Sequence, residues 1–143
     1  MKITVENKEI INSKELHAHD GIMGPITYNY EDKSCIFEVM NPEWNKHQTF
    51  HVKGILYMEM QCCEFWGPSP HISSWYCHEP EKRTEELFRR KVTEYDNYYS
   101  LLDIKKGKYV EHVFEFISGN EIHFICQEVE FHEYPYYKYE EGK

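Results

Sequence analysis

The sequence lacks any run of about 18 apolar residues, so no part of it is predicted to cross a membrane as a helix. Its first residues, Met1-Lys2-Ile3-Thr4-Val5-Glu6-Asn7, hold no apolar stretch of the secretory kind. It has no paired CxxC knuckles and no HExxH, no Gly-rich phosphate loop and no GxSxG elbow. The common signatures of structural zinc, zinc proteases, nucleotide binding and serine hydrolysis are therefore missing. Positive charge is scarce too: Lys plus Arg total 16 against 25 Asp plus Glu, a formal charge of −9. A chain of that sign is repelled by phosphate backbones and anionic lipid unless it carries a local basic patch. The densest basic stretches, Arg89-Arg90-Lys91 and Lys105-Lys106-Gly107-Lys108, both have acids close by. The expectation is no nucleic-acid partner and no membrane partner.

What is present points to a sheet protein. The chain has 143 residues, a common size for one domain and enough to bury a core without metals or disulfides. Aromatic residues make up 16% of it, with tyrosine the largest share, and such side chains favour pleated, half-buried surfaces. The five cysteines are Cys35, Cys62, Cys63, Cys77 and Cys126. An odd count with an adjacent pair argues against a disulfide framework and for reduced thiols in a cytoplasmic protein.

Hydrophobic spacing predicts the elements. Ile3–Ile11 reads as a first strand, and Lys14–Pro25 as a turn-rich connection. Ile26, Tyr28 and Tyr30 alternate with polar residues, Glu31-Asp32-Lys33-Ser34 turns, and Ile36–Met40 returns, which predicts a hairpin. Thr49–Met60 reads as a strand whose alternation slips at Lys53-Gly54, the mark of a β-bulge. A second hairpin runs from Tyr109–Ile117 through Ser118-Gly119-Asn120 to Glu121–Phe131, with a matching slip at Gln127-Glu128. The stretch 124–131 can be laid over 50–57, which admits either a repeated unit or coincidence. Pro80, Glu79 and Glu81 suit a helix start, and Leu87, Phe88, Val92 and Tyr95 recur at helical spacing. Residues 61–79 read as a long connection rich in aromatics, Pro, Cys and His. Residues 134–143 read as a loose tail.

The predicted fold is β-rich α+β: one domain over 1–143, an antiparallel sheet of six to eight strands folded as a sandwich or partial barrel, with one packed helix.

Four constellations could carry function. His17 and His19 near Asp20, with His71, Cys77 and His78, offer ligand types that zinc uses, but at no known zinc spacing. Polar turn histidines and buried cysteines explain the same residues, so no cofactor is expected and zinc stands as the alternative. Cys77 beside His78 offers a nucleophile and a base, although sequence neighbours seldom form a dyad. Phe65, Trp66, Trp75 and Tyr76 either form an exposed binding patch or fold back to cap the sheet. Finally, Glu111, Glu115, Glu121, Glu128, Glu130 and Glu133 either line one face that steers a basic partner or simply form a solvated face. From Glu111 onward the chain carries eight acids and two Lys.

Two segments carry a family likeness. They are Leu16-His17-Ala18-His19-Asp20-Gly21-Ile22, followed by a Tyr-rich hairpin, and Phe114-Glu115-Phe116-Ile117-Ser118-Gly119-Asn120-Glu121-Ile122. Together they resemble small bacterial β-rich proteins of immunity-protein type, over about a third of the chain. The resemblance implies occlusion of a protein partner and carries no catalytic residues. The leading expectation is a non-enzymatic binding module for a basic protein. The alternatives are a metal- or small-molecule-binding protein and a structural or assembly subunit.

Overall fold

The computed structural model describes residues 1–61, 70–80, 86, 89 and 108–136. Among these, ten strands and one short helix follow in the order β1 (Lys2–Ile3), α1 (Glu9–Asn12), β2 (Ile22–Met23), β3 (Thr27–Asn29), β4 (Ser34–Asn41), β5 (Lys46–Lys53), β6 (Tyr57–Gln61), β7 (Ile72–His78), β8 (Val110–Phe116), β9 (Glu121–Cys126) and β10 (Glu128–Tyr134). The first sheet runs β1-β10-β5-β4-β2, with β3 also paired to β4. The second runs β6-β9-β8-β7. All pairings are antiparallel, and the described strands form no closed barrel. The β-rich expectation thus holds, in its sandwich form. The strand count exceeds it because β1, β2 and β3 are short edge segments.

The core is aromatic and lies between the sheets. Phe37 of β4 stacks on Phe50 of β5 at 4.7 Å, and both meet Phe114 of β8 edge-on, at 5.4 and 5.6 Å. Trp75 of β7 stacks on Phe114 at 5.4 Å, and Phe124 of β9 stacks on Phe37 at 5.8 Å. Such pairs add roughly 0.5–1.5 kcal/mol each beyond the burial of their area. The alternation read in β8 and β9 is correct: Val110, His112, Phe114 and Phe116 face inward, as do Ile122, Phe124 and Cys126.

The two phase slips have one cause. Phe50 pairs with Phe131 and Val52 with Val129 in the first sheet, whereas Tyr57 pairs with Ile125 in the second. The two segments are partners in one antiparallel ribbon that leaves one sheet and enters the other, not copies of a repeated unit. At the corner Gly54 has φ +63°, and Gln127 N–H lies 3.2 Å from both the Lys53 and Gly54 carbonyl oxygens. Strands that change sheet in a sandwich do so at such bends. A tie of the sheets also occurs at Ile22, which bridges to His71.

Three local expectations change. Ile3–Ile11 is not one strand: Thr4 N–H donates to Asn7 Oδ1 and Asn7 Nδ2 donates to Lys2 O, which folds the chain back before α1. Residues 72–78 are strand rather than connection, because a bulge between Ile72 and Ser74 breaks the alternation that would have shown it. Tyr134 ends β10 opposite His47, and Tyr136 N–H donates to Asn45 O, so the expected tail does not include these residues, and the rest of it, 137–143, lies outside the described residues. Of the predicted helix after Pro80, only Glu86 and Arg89 are described, and both are helical.

Candidate functional site

The face of the second sheet turned away from the sandwich core holds a dense polar network among the described residues, and its middle is itself covered: Val113 and Ile125 are fully buried, and Glu111 and His123 nearly so. Register places Tyr57, Glu59 and Gln61 of β6 beside Ile125, His123 and Glu121 of β9. Next come Glu111, Val113 and Glu115 of β8, then His78, Tyr76 and Ser74 of β7. Strand alternation puts this set opposite the core-facing residues.

His123 is the hub. Its Nδ1 lies 2.9 Å from Glu111 Oε2 and its Nε2 lies 2.9 Å from Glu121 Oε2. Carboxylates flank both ring nitrogens, so both carry protons and the ring is an imidazolium. The hydrogen bond to Glu111, helped by that to Glu121, outweighs burial and lifts its pKa to about 9. Glu111 is only 2% exposed, and its Oε1 accepts no hydrogen bond. His78 Nε2 stands 3.6 Å from Glu111 Oε2, while His78 Nδ1–H donates to Glu79 O at 2.7 Å. Two further carboxylates are positioned by neutral donors. Ser74 Oγ and Tyr76 OH each donate to Glu115 at 3.0 Å, one to each oxygen. Tyr57 OH donates to Glu59 at 2.9 Å and Gln61 Nε2 does so at 3.2 Å.

The core side of the same strands holds a second His pair of different character. Cys77 Sγ lies 3.1 Å from His112 Nδ1, which also accepts Trp75 Nε1–H at 3.2 Å. Desolvation drops the His112 pKa to about 3 and raises that of Cys77 to about 12. Thiol and imidazole are both neutral, so this is a buried structural contact and not a thiolate–imidazolium nucleophile. Cys35 is likewise pushed up to about 12 by burial, and Cys126 is pushed up further. All three described cysteines are free and buried.

The sequence-predicted residues scatter accordingly. Cys77 and His78 are strand neighbours on opposite faces, so they form no dyad. His19 Nδ1–H donates to Ser73 O at 2.9 Å and its Nε2 stands 3.4 Å from Asp20, in the turn beside β7. The backbone carbonyl of His17 accepts Gln48 Nε2–H at 2.8 Å, and burial is the main cause that lowers the His17 pKa. His71 opens the segment that bridges to Ile22. No group of three or more His, Cys, Asp or Glu among the described residues is arranged to hold a metal ion.

Of the aromatic set, Trp75 sits in the core at 6% exposure and cannot serve as a contact residue, because the β7 bulge turns its ring inward. Tyr76 joins the outward network, and Phe65 and Trp66 lie outside the described residues. The six glutamates do not share one face. Glu111, Glu115 and Glu121 belong to the second sheet. Glu128 and Glu130, past the corner at Gln127, lie in the first sheet, 3.6 and 2.6 Å from Lys53 Nζ. Glu133 accepts from Gln48 at 2.8 Å. His123 is the member of this network that sequence reasoning missed. Its signal was present: it alternates out of phase with Ile122 and Phe124 and so shares the face of Glu121.

A concavity of about 360 Å³ opens beside β3 and the start of β6, lined by Tyr28, Tyr30, Lys33, Ile55, Tyr57 and Met58 among others. Its lining is largely apolar and aromatic and brings no acid–base pair.

Comparison with protein-family models, curated proteins and solved structures finds no match. No described helix is long and apolar enough to cross a membrane.

Proposed function

We propose that this chain is a non-enzymatic binding module whose acidic face on the second sheet engages a basic protein partner, as its resemblance to bacterial immunity-type proteins implies. The observation that carries this reading is the cross-strand pair Glu115 and Glu121, both partly exposed. These carboxylates lie on adjacent strands and are held by imidazole, hydroxyl and phenol donors. Among the described residues no Lys or Arg comes within ion-pair distance of them. Side chains fixed before binding lose less entropy when a partner arrives. A face on which acids outnumber the one imidazolium also speeds encounter with an opposite charge. The overall charge of −9 acts in the same direction. The neutral Cys77–His112 pair supports a non-catalytic reading, since the thiol with a base in reach is not activated. Reduced thiols in a bacterial cytoplasm fit three free buried cysteines.

The test is capture from a lysate of the source organism on immobilised wild type and on Glu115→Lys/Glu121→Lys. A basic protein held by the wild type, released by salt and lost from the variant is the expected result. The same proteins bound by both would refute the reading.

A further inference from the structure

Trp75 keeps its ring in the core, but its main chain faces the open edge of β7. The register decides this. Cys77 N–H donates to Asn12 Oδ1 and Asn12 Nδ2–H donates to Cys77 O, both at 2.8 Å, so the Cys77 peptide groups point away from β8 and toward α1. Opposed residues in an antiparallel pair alternate between bonded and unbonded. Trp75, two residues back, therefore turns its N–H and C=O the same way. The far side agrees. Phe116 N–H donates to Asn120 O, which turns Phe116 toward β9, and by the same alternation Phe114, the partner of Trp75. The edge is covered on both sides of Trp75. Asn12 closes it at Cys77. At the other end Ile72 N–H donates to Gly21 O at 2.8 Å, Asp20 N–H donates to Ile72 O at 2.9 Å, and His19 Nδ1–H donates to Ser73 O at 2.9 Å. No described residue bonds the main-chain N–H or C=O of Trp75. A groove of about 270 Å³ opens against it, lined by Ile11, Asn12, Lys14, Trp75 and Cys77 among others. Trp75 is only 6% exposed, so this donor and acceptor lie on the groove floor rather than on a free surface. Covered main-chain groups seldom go without a partner.

We infer that this groove binds a small neutral molecule through a primary carboxamide, whose oxygen accepts Trp75 N–H and whose own N–H donates to Trp75 C=O. The protein carries the precedent. The Asn12 carboxamide makes this two-bond exchange with Cys77, two residues and about 6.5–7 Å further along the same edge. An added strand does not fit, because the gap is one residue long and its two ends are taken by Asn12 and by the turn through His19, Asp20 and Gly21. A carboxylate lacks the donor that Trp75 C=O requires. A cation is disfavoured by Lys14, the charged residue in the lining, and Ile11 offers the rest of the molecule an apolar contact. The groove lies at the edge of the second sheet, apart from the Glu115 and Glu121 pair on its face, and binds independently of any basic partner.

The experiment is an NMR titration of the whole chain at neutral pH with benzamide, and in parallel with N,N-dimethylbenzamide and methyl benzoate, which accept hydrogen bonds but donate none. The expected result is a saturable downfield shift of the Trp75 amide proton with benzamide, larger than that of the Cys77 amide, which Asn12 already holds. The two probes without a donor should bind about fivefold more weakly or worse, since one hydrogen bond contributes roughly 1 kcal/mol. Asn12→Ala, checked for wild-type amide dispersion, frees the same pair of groups on Cys77, so the Cys77 amide should then join the response to benzamide. The wild-type titration decides the matter even where that variant fails to fold. No saturable shift at Trp75, an equal response to all three probes, or shifts centred elsewhere on the protein would each overturn the assignment.

Discussion

Cys77 and His112 meet at 3.1 Å in the core, where burial holds both in their neutral forms. A thiol raised to about 12 by burial is a poor nucleophile at neutral pH. Iodoacetamide should therefore leave Cys77 unlabelled in the folded protein and modify it only on unfolding. Peptide mass spectrometry reads this directly. Rapid labelling of native Cys77 would show an activated thiolate.

His112 also predicts a response to acid. Its pKa of about 3 in the fold lies below the ordinary value near 6.5, so between these limits the unfolded chain binds the extra proton. Stability should fall as pH drops from about 6.5 toward 3. His112 alone contributes a slope of up to about 1.4 kcal/mol per pH unit. His17, lowered in the same direction, adds to it. Denaturant titrations of wild type and His112→Gln between pH 4 and 7 (roughly the window of these groups) should differ by about one proton's slope. Parallel curves would contradict the assignment.

His123 predicts the opposite end. Its folded pKa of about 9 is raised above its unfolded value, so its stabilising effect is complete below about 6.5 and is lost as pH rises through 9. The ring protons should titrate with a midpoint near 9 by NMR. His123→Gln should flatten the loss of stability on the alkaline side. An ordinary midpoint near 6.5 would mean that the two carboxylates do not grip the ring.

The sheet-to-sheet corner makes a prediction about Gly54. A Cβ there would stand 2.4 Å from Gln127 Oε1, on a backbone with φ +63°. Gly54→Ala should cost about 1–3 kcal/mol in chemical denaturation. Adding Gln127→Ala should restore part of the steric share only, because the Gln127 Cβ stays at 3.0 Å, and should leave the backbone share. Full restoration would show that the left-handed conformation is not strained.

The sandwich was legible where alternation was clean. The hairpin around Lys33, the inward faces of β8 and β9, and both phase slips can all be read from residue spacing. What the slips did was not legible, because a bulge and a corner look alike until the partner strand is known. The Gln127 corner is also why Glu128 and Glu130 left the acidic face that Glu111, Glu115 and Glu121 share. β7 hid behind its bulge, so Trp75 read as part of a connection when it is a core residue. The His123 hub depends on register across strands, which no single strand's sequence contains.

The most direct test of the central claim is calorimetry of the captured basic partner with wild type and with Glu115→Lys/Glu121→Lys at two salt concentrations. An acidic docking face predicts affinity that falls at least about tenfold on charge reversal and weakens as salt rises in the wild type. Equal affinity for both proteins, insensitive to salt, would contradict it.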